Sequence, residues 1–174
     1  MEKKDKTRSQ EVLLCVTSLP EQLIKFHGQE NMLEFLLHSM CQQNCFNFSK
    51  AAYFVDNPDF DHLKGVAGFH HPESYEHNHW EDPKTFSDHM KRAPFNNQVR
   101  EVARASIKKN NQVEKEVASE LSKELAFKNS HFLSWPVKYN NHGLLLFETA
   151  EDQDERVKAQ VQSGLHLLGF CPVF

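Results

Sequence analysis

Two segments of this chain have the pattern of β-hairpins, and a long polar stretch separates them. The first covers Asn47 to Phe69, where the apolar runs Ala51–Val55 and Leu63–Phe69 flank the turn-forming letters DNPD. The second covers Phe132 to Glu148 and has the letters NNHG at its tip, followed by a leucine run. A hairpin joins its strands antiparallel, and a continuous apolar run is typical of a strand that is buried on both faces. The sequence therefore predicts a central antiparallel sheet.

Amphipathic segments surround the two hairpins. Apolar residues recur at spacings of three and four before the first hairpin, between the hairpins and after the second, which predicts helices. The predicted helices are a segment from Glu11 that Pro20 interrupts and Gly28 ends, then Glu30–Gln43, Asn97–Lys109, Asn111–Phe127 with Asn110 or Asn111 as N-cap, and Asp152–Leu168 with Gly169 as its stop. Residues 1–10 are predicted to fray, and residues 70–95 to form an irregular connection with one short strand at His77–Trp80.

The length and composition indicate one folded domain. A chain of 174 residues with 39% hydrophobic and 25% charged residues is typical of a globular protein. We expect residues 1–19 to be a partly helical extension and residues 20–174 to be the domain. The formal net charge of −4 argues against nucleic-acid binding, and no apolar run reaches the ~20 residues that span a bilayer. The four cysteines form no zinc-site pattern, so we expect reduced thiols and a cytoplasmic protein.

The order of these elements resembles a GAF domain, a small α+β sensory module. Leu33–Met40 is similar to the first core helix of that family, and Ala51–Phe69 is similar to its first hairpin. The second hairpin is matched by the apolar-proline-apolar letters WPV followed by the letters GLLL, and Asp154-Glu155 opens the last helix with an acidic pair. The resemblance spans residues 20–168 and implies an antiparallel sheet of five to six strands flanked by helices. A PAS-like or profilin-like α+β domain is the alternative.

The chain departs from the GAF pattern where family members bind ligands or react. No Asn-Lys pair precedes Phe147 and the acidic run, which argues against a cyclic nucleotide as ligand. No cysteine lies between Phe46 and Gly164, which argues against reduction of methionine sulfoxide and against a tethered bilin. The resemblance thus implies a ligand pocket that has been remodelled, and it leaves any cofactor unidentified.

Histidines and tryptophans supply the candidate site residues. His70, His77, His79 and His89 lie among carboxylates, and imidazole is a common metal ligand, so a metal-dependent enzyme or redox protein built on residues 70–89 is one alternative. The ligand spacing matches no known metal motif, so we expect no metal site and no catalytic residue. Aromatic side chains often line pockets. The candidate ligand-binding residues are Phe69, His71, Trp80 and Trp135.

The preferred function is a non-catalytic sensory or regulatory domain that binds a small molecule or a protein partner. A degenerate domain that serves only for dimerisation or as a scaffold is the other alternative. The terminal helices are predicted to have the apolar stripes Leu13-Val16-Leu19-Leu23 and Val157-Val161-Leu165-Leu168. Val12, Leu14 and Ile24 widen the first stripe, and a wide apolar patch often marks an interface, so we expect a homodimer through the terminal helices.

Overall fold

The computed structural model describes residues 2–149 and 155–171, with side chains described for 7–149 and 159–171. These residues form an α+β domain with a five-stranded antiparallel sheet in the order β3-β2-β1-β5-β4. The elements are α1 (Glu2–Lys25), α2 (Met32–Cys41), β1 (Phe48–Asn57), β2 (His62–His70), a 3₁₀ helix (His71–Glu73), α3 (Pro83–Arg92), α4 (Pro94–Glu101), β3 (Ala103–Arg104), α5 (Glu114–Glu124), β4 (His131–Pro136), β5 (His142–Thr149), α6 (Glu155–Leu165) and a C-terminal 3₁₀ helix (His166–Phe170).

The two predicted hairpins are confirmed, and their inner strands are central and buried. β1 pairs with β2 on one side and with β5 on the other, so that Ala52 faces both Gly68 and Leu146. Residues 51–55 and 143–147 are buried throughout, as their continuous apolar runs predicted. The turns of both hairpins lie at the same end of the sheet.

The sheet separates two apolar cores, and we name its faces after the helices that cover them. The α2 face is covered by α1, α2, α3 and α6, and it contains Tyr53, Phe69 and Leu145. The α5 face is covered by α4 and α5, and it contains Phe54, Leu144 and Leu146. The prediction that the helix before β1 and the final helix share one face is confirmed, since both contribute to the core of the α2 face.

The short strand β3 pairs with the first residues of β2, and helix α4 lies along the remainder of the same edge of β2. A Cβ atom built on Gly65 would lie 1.8 Å from the carbonyl oxygen of Val99, so only glycine allows this approach. The amide of Gly65 donates to the carbonyl of Val102 at 3.0 Å, and the amide of Gly68 donates to Asn96 Oδ1 at 2.9 Å. The polar groups of an exposed strand edge are thereby satisfied within the domain.

Helix α1 is longer than predicted and begins at Glu2 rather than at Glu11, with Pro20 inside it. Tertiary contacts hold its first half, because the guanidinium of Arg8 donates to the carbonyl of Gln43 at 2.6 Å and to that of Cys45 at 2.5 Å. The predicted boundary after residue 19 falls within this helix. The expectation that residues 1–10 fray is therefore wrong for residues 2–10, and Met1 lies outside the described residues.

The prediction of four reduced cysteines was also wrong, because Cys15 and Cys45 form a disulfide bond. The bond joins α1 to the segment before β1, while Cys41 and Cys171 are free and buried. Since Cys15 turns toward Cys45, α1 buries Val12 and Leu19 in the core and leaves Leu13 half exposed. Val16, Leu19 and Leu23 of the predicted stripe do pack in or against the core, and only Leu13 was misplaced, with Val12 buried in its stead.

The segment between the hairpins is more ordered than predicted. Asp82 caps α3 by accepting from the amide of Thr85, and Pro83 occupies the first turn. Residues 77–80 form turns instead of a strand. The helix predicted over 97–109 ends at Glu101, because the chain then extends into β3 beside β2. Val113 rather than an asparagine precedes α5.

The C-terminal helix is described from Glu155, so the predicted start at Asp152 and the acidic residue Asp154 lie outside the described residues. Gly169 does not end this helix, since it lies inside the C-terminal 3₁₀ helix. The side chain of Val157 is not among those described. Val161, Leu165 and Leu168 are buried, as the predicted stripe required.

Candidate functional site

A cleft of about 1120 Å³ opens on the α2 face, between the corner that joins α1 to α2 and the C-terminal 3₁₀ helix. Its apolar lining is Pro20, Leu23, Ile24, Met32, Leu33, Val66, Leu167 and Phe170. Its polar lining is His27, Gln29, Glu30, Asn31, Glu34, Lys64 and Arg100. Pockets that bind small molecules commonly combine a mostly apolar wall with a few placed polar groups, and this cleft has that composition.

A buried carboxylate organises the polar end of the cleft. Glu34 is 4% exposed, and its Oε1 accepts from Asn96 Nδ2 at 2.8 Å and from Arg100 Nη1 at 2.8 Å. Its Oε2 accepts from Asn31 Nδ2 at 2.9 Å. Burying a charge is costly unless it is paired and hydrogen-bonded, and these three donors meet that requirement. The carboxylate therefore fixes one nitrogen of Arg100, whose side chain is 52% exposed.

The N-terminus of α2 faces the same end of the cleft. The side chain of Asn31 does not cap the helix, because its Nδ2 donates to Glu34 and its Oδ1 accepts from Ser87. Met32 and Leu33, the first residues of the helix, both line the cleft. The first amides of a helix carry a partial positive charge, and the charged side chains in the lining are Arg100, Lys64, Glu30 and Glu34.

The other end of the cleft is apolar. Leu167 and Phe170 come from the C-terminal 3₁₀ helix, and Phe170 is 65% exposed with Lys138 Nζ lying 5.2 Å from its ring centroid. Lys138 follows β4, whereas Lys64 and Val66 belong to β2, three strands away in the sheet order. Leu167 and Phe170 thus form an apolar wall of the cleft.

A cluster of aromatic and histidine side chains lies behind the cleft in the core of the α2 face. The rings of His38 and His79 lie 4.7 Å apart, and both also contact Phe86. Burial lowers the pKa of His38 to about 3 and that of His79 to about 4. Both histidines are therefore neutral near pH 7, and they fill the core as polar aromatic residues.

The contact between Ser39 and His79 is not the arrangement of a nucleophile and its base. His79 Nε2 lies 2.8 Å from Ser39 Oγ and 3.1 Å from the carbonyl oxygen of Phe35, which can only accept. This nitrogen must therefore carry the proton, so it cannot take one from Ser39. The indole Nε1 of Trp80 also donates to Ser39 Oγ at 2.9 Å. The hydroxyl is a structural acceptor within a buried cluster.

The four predicted ligand-binding residues do not come together, and none of them lines the cleft. Phe69 is buried against His38, and Trp80 packs between Phe26 and Phe35. His71 is exposed at the start of the first 3₁₀ helix. Trp135 is 7% exposed and stacks on Tyr53 at 5.7 Å.

The four histidines considered as metal ligands take separate positions. His77 is exposed, His79 is buried, and His70 lies 3.6 Å from Glu73. His89 Nε2 donates to the carbonyl of Glu73 at 2.7 Å. Among the described residues no three histidine, cysteine, aspartate or glutamate side chains are grouped so that they could hold a metal ion.

Comparison with known proteins leaves the cleft as the main guide to function. No protein-family model, no curated protein and no solved structure matches this chain. Within the described residues, none of the helices combines the length and the apolar character that crossing a bilayer requires.

The sequence contained a signal for one part of the cleft. Glu34 is the only acidic residue in the apolar segment MLEFLLHSMC, and Asn31 precedes it by three positions. A single charge inside an apolar helix indicates a buried and paired group. Its partners Asn96 and Arg100 lie more than sixty residues away, so their identity required the folded chain.

Proposed function

We propose that this protein is a non-catalytic sensory or regulatory domain of GAF-like architecture that binds a small molecule in the cleft. The cleft itself is the observation that supports the proposal. It is large enough for a metabolite, and its lining includes the hydrogen-bonded group of Asn31, Glu34 and Arg100. The α+β layout, with the helix before β1 and the final helix on one face, agrees with the resemblance in element order.

The absence of an assembled catalytic group among the described residues supports binding rather than catalysis. His38 and His79 are buried and neutral, Ser39 only accepts hydrogen bonds from His79 and Trp80, and Glu34 is fully engaged by three donors. General acid–base catalysis requires a group that can exchange a proton with a bound substrate. These groups instead form hydrogen bonds with, or pack against, other groups of the protein.

Native mass spectrometry of the purified protein, followed by a thermal-shift screen of metabolites, tests this proposal. Phe170→Ala removes an exposed cleft residue, and Phe60→Ala is the matched control because Phe60 is 81% exposed and lies outside the cleft lining. We expect a bound small molecule whose affinity falls about fivefold or more in Phe170→Ala and stays unchanged in Phe60→Ala. A ligand that both variants bind as the unmodified protein does would contradict a site in this cleft.

An assembly through helix α1 is the second part of the proposal. The outer side of α1 leaves Leu13 51% and Leu14 70% exposed, whereas Val12 and Leu19 are buried within the chain and Ile24 lines the cleft. We propose that this exposed apolar side forms the interface of a homodimer. The scaffold alternative makes the same prediction but requires no ligand, so the ligand screen separates the two functions.

Sedimentation equilibrium of Leu14→Glu tests the dimer. Removing residues 1–19 is unsuitable, because α1 contributes Val12 to the core and Cys15 to the disulfide. We expect a dimer at micromolar concentration that becomes a 20.2 kDa monomer in the variant. A monomer before substitution would exclude this interface.

The predicted cytoplasmic location rested on four reduced cysteines. The disulfide between Cys15 and Cys45 removes that support, since stable disulfides are typical of oxidising compartments. The location and the predicted lack of nucleic-acid binding remain predictions.

A further inference from the structure

We infer that the cleft binds a free aliphatic carboxylate, with its carboxylate at Arg100 and its hydrocarbon chain extending toward Phe170. This inference rests on the proposed function, because it names the chemical class of ligand for the same cleft. It follows from the arrangement of charge, of fixed hydrogen-bond donors and of apolar surface along the cleft.

Arg100 is positioned to bind an anion. One guanidinium nitrogen, Nη1, is held by Glu34 at 2.8 Å, and the side chain is 52% exposed where it lines the cleft. A guanidinium has five donors in a rigid fork, so one contact with Glu34 leaves further donors facing the open side. Because Glu34 is itself fixed by Asn31 and Asn96, Arg100 is ordered before any ligand binds.

The surroundings of Arg100 favour negative charge on the ligand. Met32 and Leu33, the first residues of α2, line the cleft together with Arg100, and no side chain caps this helix, so its first amides favour an anion. The oxygens of Glu34 are occupied by three donors, so they do not compete with a ligand for the remaining donors of Arg100. Glu30 is exposed in the loop between α1 and α2 and is the other acidic residue in the lining. The one guanidinium of Arg100 suits a singly charged carboxylate, which it can bind through two parallel hydrogen bonds.

The rest of the ligand must be apolar and extended. Beyond the polar end, the cleft is lined by Leu23, Ile24, Leu167 and Phe170. The cleft volume of about 1120 Å³ is large enough for a medium-length hydrocarbon chain. A compact polar metabolite would leave these apolar side chains in contact with water, whereas a hydrocarbon chain would cover them.

Titration calorimetry with three amphiphiles of equal chain length tests the headgroup assignment. The probes are decanoate, decanol and decyltrimethylammonium at concentrations where they are monomeric. We expect decanoate to bind about tenfold or more tightly than decanol, because charged hydrogen bonds contribute more than neutral ones. We expect decyltrimethylammonium to bind more weakly than either.

Arg100→Gln is the decisive variant, and Arg104→Gln is its matched control. Arg104 also pairs with carboxylates, those of Glu120 and Glu124, but it lies outside the cleft lining. The preference for decanoate over decanol should disappear in Arg100→Gln and persist in Arg104→Gln. Circular dichroism of both variants shows whether each is folded, and glutamine can still donate to Glu34.

The outcomes separate this inference from the proposed function. Equal affinity for decanoate and decanol, or a preference that survives Arg100→Gln, overturns the headgroup assignment. Failure of all three amphiphiles to bind also overturns it, while a different small molecule that is sensitive to Phe170→Ala would keep the proposed function. Binding to phosphatidylcholine vesicles that Arg100→Gln abolishes would assign the cleft to a membrane lipid instead of a free carboxylate.

Discussion

Both faces of the sheet bury charged groups, but these groups form hydrogen bonds with different kinds of partner. On the α5 face, Lys50 is 8% exposed, and its Nζ donates to the carbonyls of Leu125 and Ala126 at 2.6 and 3.0 Å. The ammonium also lies 4.5 Å from the ring centroid of Phe95. The ammonium group therefore stabilises the C-terminal end of α5, and backbone carbonyls accept its hydrogen bonds.

Asp56 has the same kind of role on the α5 face. Its carboxylate is 2% exposed and accepts from the amides of Ile107 and Lys108 at 3.1 and 3.0 Å. These contacts fix the turn that follows β3. Both buried charges of this face therefore serve the fold.

On the α2 face, the buried carboxylate of Glu34 instead accepts hydrogen bonds from side chains. One of them, Arg100, reaches a cleft where more than half of its surface is exposed. The buried charges of the two faces therefore differ in what they hold in place. Lys50 and Asp56, which bond to backbone groups, fix the chain, whereas Glu34 orients an exposed side chain in the cleft where we propose that a ligand binds.

Among the changes considered, acidification should lower the free energy of unfolding the most, and it should act through the buried histidines of the α2 face. Burial lowers the pKa of His38 to about 3 and that of His79 to about 4. An unfolded histidine has a pKa of ~6.5, so below this pH the unfolded state takes up protons that the folded state does not. The stabilisation is present above pH ~6.5 and is lost as the pH falls toward the folded values. We expect the free energy of unfolding to be about 4 kcal/mol lower at pH 5 than at pH 7.5.

Urea unfolding at a series of pH values measures this effect. The single substitution His38→Gln should reduce the acid-induced loss to about 2 kcal/mol, because one of the two titrating groups is removed. His77→Gln is the control, since His77 is exposed, and it should leave the loss unchanged. Equal stability at the two pH values would show that the buried histidines do not resist protonation.

Asp56→Asn should have the next largest effect, and it should leave ligand binding intact. The amide nitrogen of asparagine cannot accept, so the backbone N–H of Ile107 or Lys108 loses its partner in a buried turn. We expect a loss of about 3 kcal/mol in the free energy of unfolding with unchanged affinity for decanoate. The exposed Asp59 provides the control Asp59→Asn, which should cost almost nothing. Weaker decanoate binding by folded Asp56→Asn would break the distinction between the two faces.

Glu34→Gln should have the smallest effect on stability but should change Arg100. The amide oxygen can still accept from both Asn96 and Arg100, and the amide nitrogen faces only Asn31 Nδ2, which is part-exposed and can bond to water, so we expect a loss of only about 1 kcal/mol in the free energy of unfolding. Without its counter-charge the guanidinium should become mobile. NMR signals of the Arg100 side chain should shift and broaden in Glu34→Gln and stay unchanged in Asp56→Asn. An unaffected Arg100 in both variants would show that Glu34 does not orient it.

The sequence-based predictions were correct where neighbouring residues determine the secondary structure. They were wrong where contacts with distant residues determine it. Ala51–Val55 and the run that begins at Leu144 are continuous apolar segments, and both became central strands. Asn97–Lys109 has helical spacing, but its second half extends because β2 offers an edge with which β3 can pair. Residues 83–92 are mostly polar, yet they form a helix that buries Phe86 and Met90.

The candidate site was less predictable than the sheet. The aromatic residues and histidines chosen from the sequence are core or surface groups, because aromatic side chains are needed for packing as often as for binding. Much of the cleft is lined by aliphatic residues such as Leu23, Val66 and Leu167, which look like core residues in the sequence. They line one cleft only because α1, β2 and the C-terminal 3₁₀ helix come together in the fold.

By itself, the sequence determined the class of fold, because hydrophobic periodicity and turn residues act over a few positions and specify strands, hairpins and helices locally. Tertiary structure decided which polar groups are buried and with what partners. The bond between Cys15 and Cys45, and the network that links Glu34 to Asn96 and Arg100, join residues that are far apart in the chain. A buried charge is stable only where several donors converge on it, and that convergence exists only after the helices have packed on the sheet.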